Sequence, residues 1–133
     1  MADDPTGVPA HFDELIGTEW LDDDPDHARA RLALRDDLRQ PFGPLHGGAM
    51  SSLVESICSR ATALVVMPEG NVAMGQSITV NFLRPITAGS AEVKARARHR
   101  GRTTWVWDAE VLDDEGRICA LAQMTIAVRP RPS

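Results

Sequence analysis

QPFGPLHGGAMSSLVESICSR, residues 40–60, changes character halfway along. Its first nine residues hold Pro41, Pro44, Gly43, Gly47 and Gly48, so the chain must turn there. From Met50 onward apolar residues return at three- and four-residue steps: Leu53, Val54, Ile57, Ala61, Leu64 and Val65. Pro68 and Gly70 close the segment, which predicts a helix over about residues 47–67. The helix is apolar nearly all round and needs a cover. At its centre sits one carboxylate, Glu55, which is costly to bury unless something pairs with it or uses it.

The cover is predicted on either side of it. Upstream the period is two, with Ala28, Ala30, Leu32 and Leu34 facing one way and Arg29, Arg31 and Arg35 the other. Downstream, strands are expected over residues 72–84, 91–100, 103–112 and 118–128. Ala91, Val93, Ala95 and Ala97 alternate with charged residues, and Trp105, Trp107, Ala109 and Val111 share a face. Asp113, Asp114, Glu115 and Gly116 form a hairpin turn. Consecutive hairpins make an antiparallel sheet, so the expected architecture is α+β: one long central helix wrapped by five to six antiparallel strands. Nothing divides residues 1–133, which read as one domain. A short helix is expected over about residues 9–17, with Phe12, Leu15 and Ile16 on one side and Gly17 as its stop. The acidic run EWLDDDPD, residues 19–26, lacks the glycine and terminal glutamate of a calcium loop and reads as a solvated turn.

Composition narrows the function. A net charge of -5 argues against nucleic acid as a partner. The acidic, polar start MADDPTG is unlike a signal peptide. The longest apolar stretch, residues 49–67, contains Glu55, Arg60 and four serines, so no membrane span is expected. Cys58 and Cys119, in apolar surroundings, read as reduced packing residues, and a cytoplasmic location is expected.

Chemistry gathers on the central helix. His46-Gly47-Gly48 starts it with backbone N–H groups that no side chain shields, at the positive end of the helix dipole. That suits a developing oxyanion, although a glycine-rich helix start is by itself common. Glu55 is expected to be desolvated and hence a stronger base, flanked by Ser51 and Ser59 one turn before and after. The plainer role, pairing with Arg60, is disfavoured because five residues is off one helical face. Eight residues separate Gly47 from Glu55, a rise of about 12 Å. One protomer's glutamate cannot then reach an acyl carbon held at its own helix start. If both act on one substrate, Glu55 must come from a second, antiparallel chain, which predicts a two-fold homodimer with shared sites.

The loop and helix of residues 40–59, followed by TVNFLRPITAG, GRTTWVW and ALAQMTIAV, resemble the hotdog-fold thioesterases. Within them the chain is most similar to the PaaI-like, hydroxybenzoyl-CoA and 1,4-dihydroxy-2-naphthoyl-CoA thioesterase group, over about residues 15–129. The resemblance implies an acyl-CoA substrate hydrolysed to a free acid and CoA, with no metal and no cofactor. It implies that the Gly47 N–H polarises the thioester carbonyl with help from the Gln40 side chain, and that His46 holds the loop and the thioester. Glu55 would be the nucleophile or the general base, with Ser59 positioning the water or the carboxylate. Arg84, Arg102, Thr103 and Thr104 would lie near the CoA nucleotide. Lys94, Arg96, Arg98, His99 and Arg100 extend that basic stretch and read as a solvated strand face for the most part. Phe82 stands where relatives acting on dihydroxynaphthoyl-CoA tend to carry histidine, so an apolar contact replaces a polar one. Met50, Met74, Phe82 and Trp105 are candidates both for an acyl pocket and for the core. The acyl group is expected to be aryl or medium-chain. The resemblance also implies a homotetramer. The alternative is a non-catalytic acyl-CoA sensor, which would bind such thioesters without releasing thiol. A hotdog dehydratase would need a His/Asp pair in a different motif that this sequence lacks.

Overall fold

Ala28, Ala30 and Leu32 are fully buried while Arg29 and Arg31 reach solvent, as their alternation requires. The computed structural model describes residues 11–132. Its elements are α1 (His11–Ile16), β1 (Glu19–Asp22), β2 (Ala28–Ala33), α2 (Gly47–Val66), β3 (Asn71–Phe82), β4 (Ser90–Arg100), β5 (Thr104–Leu112) and β6 (Ile118–Pro130). The six strands form one sheet in the order β1-β2-β4-β5-β6-β3, every neighbouring pair antiparallel. Three antiparallel steps beyond β4 bring β3 round to the same sense as β2, at the far edge of the sheet. The connection between them, α2, must therefore cross the sheet's inner face.

That crossing makes the core. Leu53, Val54, Ile57, Cys58 and Ala61 on α2 and Trp107, Val93, Val111 and Ile126 on the sheet are all fully buried. Burial of that apolar stripe, not a membrane, accounts for the length and hydropathy of α2, which by those measures alone could cross a bilayer. Among the described residues one polar side chain, Thr62, is buried in this packed face. Thr62 accepts a hydrogen bond from Trp107 Nε1 at 2.9 Å and donates to the Cys58 carbonyl at 2.7 Å. Thr62→Val keeps the shape but leaves the indole N–H unpaired, so it is expected to cost about 1–3 kcal/mol in a urea titration. A change within about 0.5 kcal/mol would mean that the indole finds another acceptor.

Several expectations need correction. The run of residues 19–26 is not wholly a turn, because its first part is the edge strand β1. Asp23, within it, takes the Arg60 guanidinium at 2.8 Å, and that guanidinium also lies 4.6 Å from the Trp20 ring centroid. The acidic run thus fastens one edge of the sheet to α2, and Arg60 is engaged there and not with Glu55. α1 ends at Gly17, where φ is 82°, but Phe12 and Leu15 are exposed and only Ile16 is buried. The first residues of the helix expected over 9–17 lie outside the described residues. β3 stops at Phe82, because the Leu83 and Arg84 N–H groups turn to the Cys119 carbonyl.

Candidate active site

At the start of α2 the helix N-terminus is left open in one place. His46 is the N-cap, and its Nδ1 accepts from the Gly48 N–H at 2.8 Å, so the neutral ring carries its proton on Nε2. The His46 carbonyl accepts from Ala49 at 2.9 Å, and its own N–H donates to Leu38 at 2.8 Å. The Gly47 N–H, between these, has no acceptor among the described residues. No acidic side chain occupies the first turn, so the dipole there is not neutralised. His46 therefore holds the loop through its backbone and caps the helix through its ring.

Gly47 opens onto a cleft of about 370 Å³ that also includes Gln40, Leu45, Met50, Phe82, Leu83 and Arg84. Five residues singled out from the sequence, Gln40, Gly47, Met50, Phe82 and Arg84, thus meet in one place. The Phe82 ring lies against Gly47: a Cβ built there would stand 3.0 Å from its Cζ. Arg84 is exposed and has no carboxylate partner among the described residues. Of the four candidates for an acyl pocket, Met50 and Phe82 line this cleft, whereas Trp105 is core, stacked on Trp107 at 6.3 Å, and Met74 is exposed on β3.

Glu55 is elsewhere. It was expected to be desolvated within the helix, and it is exposed. The helical period turns Leu53, Val54, Ile57 and Cys58 inward and leaves Glu55 on the outer face. Ser51 does not extend a polar stripe from it, because its hydroxyl binds the Gly47 carbonyl at 3.1 Å, as Ser52 binds that of Gly48 at 2.7 Å. Ser59, one turn past Glu55, is half-buried. The Glu55 carboxylate reaches over β3 at Gly75, where a built Cβ would lie 3.5 Å from Oε2 and 2.7 Å from Met124 Cε. The ladder with β6 shifts register here, between Gly75 and Ser77. A bare glycine at a bulge gives the carboxylate room beside the strand, a feature that the sequence reading missed. Gly75 is seven residues from Phe82, or roughly 20 Å of strand. Within one protomer the carboxylate and the open N–H are far apart.

β3 itself is an edge strand of 12 residues with an exposed row from Met74 to Ser77. Arg102, Thr103 and Thr104 lie at the opposite end of α2 from Gly47. Arg102 lines a second cleft of about 400 Å³ with Val65, Glu69, Asn71, Arg100 and Trp105. The Thr103 carbonyl there accepts from Arg129 Nη1 at 2.6 Å. Much of the remaining basic face is neutralised locally, Arg98 by Asp108 at 3.0 Å and Arg100 by Asp26. Burial pushes the Cys58 thiol well above its usual range, and burial together with Asp113 raises Cys119, so neither offers a thiolate. Among the described residues no three His, Cys, Asp or Glu side chains converge as a metal site.

Comparison with known proteins identifies the family and the fold. The sequence model of the thioesterase superfamily matches residues 42–120. A 1,4-dihydroxy-2-naphthoyl-CoA hydrolase of Listeria monocytogenes is 31% identical over 118 residues, which are 89% of this chain and 95% of that one. Among solved structures, a mutant thioesterase from Pseudomonas aeruginosa superposes with a TM-score of 0.85 at 35% identity, covering 90% of this chain and 86% of the other. A thioesterase from Haemophilus influenzae superposes with a TM-score of 0.86 at 30% identity, covering 92% and 85%. One long helix against a six-stranded antiparallel sheet is common ground with these hotdog structures.

Proposed function

The chain belongs to the thioesterase superfamily and is a thioester hydrolase; from that premise we propose that it hydrolyses acyl-CoA at two active sites, each shared between two subunits of a homodimer. The observation that carries this reading is the separation on one continuous helix. Gly47, with its open N–H, and Glu55, on the outer face, lie about 12 Å apart along α2. A second copy whose helix runs antiparallel brings Glu55 of the partner subunit to the first copy's Gly47. The edge strand β3 supports that pairing, since an exposed edge of this length invites a second β3. Docking would also withdraw Glu55 from water, which restores the desolvation that a base needs.

In this arrangement Gln40, Gly47, Phe82 and Arg84 come from one chain, and Glu55, Ser59 and the Arg102–Thr104 loop from the other. Glu55 stands about 16 Å from the end of α2, so the Arg102 loop lies on its own carboxylate's side of the shared site. The thioester oxygen takes the Gly47 N–H and the Gln40 amide, while Arg84, Arg102, Thr103 and Thr104 meet the CoA phosphates and ribose. Water adds to the acyl carbon as Glu55 accepts its proton, the C–S bond breaks, and the proton passes to the CoA sulfur. With Glu55 as nucleophile, its carboxylate adds to the acyl carbon and the C–S bond breaks to expel the CoA thiolate; water then cleaves the acyl-glutamate anhydride to the free acid, restoring the Glu55 carboxylate as a proton passes to the thiolate. Ser59 orients the carboxylate or the water in either route. The chemistry uses protein groups and water, without a cofactor. The acyl group is proposed to be aryl or medium-chain, the setting the reducing cytoplasm in which Cys58 and Cys119 stay as thiols, and the full assembly a homotetramer of two such dimers.

Thiol release measured against a panel of aryl-CoA and straight-chain acyl-CoA substrates tests the activity, with sedimentation analysis of the same sample. Turnover by a dimer or tetramer is expected. Turnover by a monomer would contradict the shared site, and tight acyl-CoA binding with no thiol released would make the protein a sensor.

A further inference from the structure

Phe42 is 93% exposed, more than any other large apolar side chain among the described residues. It stands on a loop whose two ends, Gln40 and Leu45, are both walls of the cleft at Gly47. The loop is pinned. The Gln40 N–H donates to the Pro44 carbonyl at 2.8 Å and the Gly43 N–H to the Gln40 carbonyl at 2.9 Å. Arg39 Nη1 binds the Gly43 carbonyl at 2.6 Å and the Thr87 carbonyl at 3.2 Å. Pro41 and Pro44 fix two further φ angles, and Gly43 takes a φ of 109° that a side chain would resist. A well-tied loop therefore displays this ring in water.

That cleft does not include the Phe42 ring, which stands outside its lining, and its own wall leaves Phe82 53% and Leu83 59% exposed. Its two polar side chains, Gln40 and Arg84, are taken up in the proposed reaction by the thioester carbonyl and a CoA phosphate. Beside Gly47, the side chains of Leu45, Met50, Phe82, Leu83 and Pro85 remain, and none of them can pair with a hydroxyl or a charge on the acyl group.

Resting on the thioesterase reading above, we propose that Phe42 is a specificity-determining residue: it is the outer wall against which the apolar body of the acyl group lies. The preferred substrates are thioesters of bulky apolar acids, aromatic or at least several carbons long, and acetyl-CoA is a poor one. Binding the acyl body covers Phe42, Phe82 and Leu83 together and so gathers three exposed apolar groups into one contact.

The test compares wild type with Phe42→Ala and Phe42→Leu, using acetyl-CoA, octanoyl-CoA and benzoyl-CoA in thiol-release assays. Calorimetric titrations with S-methyl-CoA and S-octyl-CoA, thioethers that no thioesterase can cleave, run alongside. Wild type is expected to favour octanoyl or benzoyl over acetyl in kcat/KM. Phe42→Ala is expected to cut that preference about tenfold, and the S-octyl over S-methyl affinity ratio by a similar factor, with Phe42→Leu retaining most of both. An unchanged preference with an unchanged affinity ratio overturns the assignment. So does dissociation of the dimer by Phe42→Ala in sedimentation, since the ring would then be sealing a subunit contact. If wild type releases thiol from none of the three substrates, the thioesterase reading fails while the thioether titrations still decide the role of Phe42.

Discussion

Glu55→Ala is expected to lower kcat for every acyl-CoA substrate by about 10³-fold or more, with a melting temperature close to that of wild type. Both halves follow from where the side chain stands. Glu55 is on the outer face of α2, outside the core of Leu53, Val54, Ile57 and Cys58, and its loss leaves no cavity and no orphaned partner in the protomer. Its carboxylate is the group proposed to take the proton of water or to attack the acyl carbon, and alanine can do neither. Stopped assays on purified variants, with thermal denaturation of the same samples, check it. Near-normal turnover would remove Glu55 from the mechanism. A collapse in melting temperature would mean that the activity loss reports unfolding instead.

Gly47→Pro is expected to reduce kcat by about 10²- to 10³-fold, the cost of removing one oxyanion donor. Gly47 is the first helical residue, a position where proline is well tolerated because its N–H bonds nothing within the helix. The preceding His46 has φ -61° and ψ 132°, in the extended region that a residue before proline prefers. The substitution therefore deletes the open N–H with little change to the backbone around it. The new ring does press on Phe82, whose Cζ would lie 3.0 Å from the added Cβ. Gly47→Ala applies the same pressure but retains the N–H, so the ratio of the two variants isolates the hydrogen bond. Equal activity of Gly47→Pro and Gly47→Ala would show that this N–H does not stabilise the transition state.

The fold was legible because its signals are periodic. Alternation in Ala28–Ala33 and the three- and four-residue steps from Met50 to Val65 each point to one face, and burial follows both patterns. The first cleft was only partly expected: the pairing of Gln40 with Gly47 came from the family resemblance and not from a local pattern, and Phe82 and Arg84 join them through the turn after β3, which brings together residues about 40 positions apart. Exposure of Glu55 was not legible. A helix apolar on most of its surface hides which narrow strip faces away from the sheet, and that strip is defined only once α2 has crossed strands far away in sequence. β1 was hidden by the acidic run it begins, since Asp22 at its end and Asp23 just beyond it are held by pairing with His27 and Arg60 and not by strand propensity. The Gly75 bulge and the Thr62–Trp107 hydrogen bond depend on residues 49 and 45 positions apart, which no local pattern reveals.

The shared site makes a claim that neither single substitution tests. Glu55→Ala and Gly47→Pro subunits are each expected to be inactive as homodimers, and a heterodimer of the two rebuilds one complete site from the intact Gly47 of the first and the intact Glu55 of the second. Unfolding and refolding an equimolar mixture gives heterodimers for about half of the population, each with one of its two sites intact, so about a quarter of wild-type activity is expected to return. Recovery near that level is the predicted result. A refolded mixture no more active than either variant alone, with heterodimers present by native mass spectrometry, would contradict a catalytic site built from two subunits.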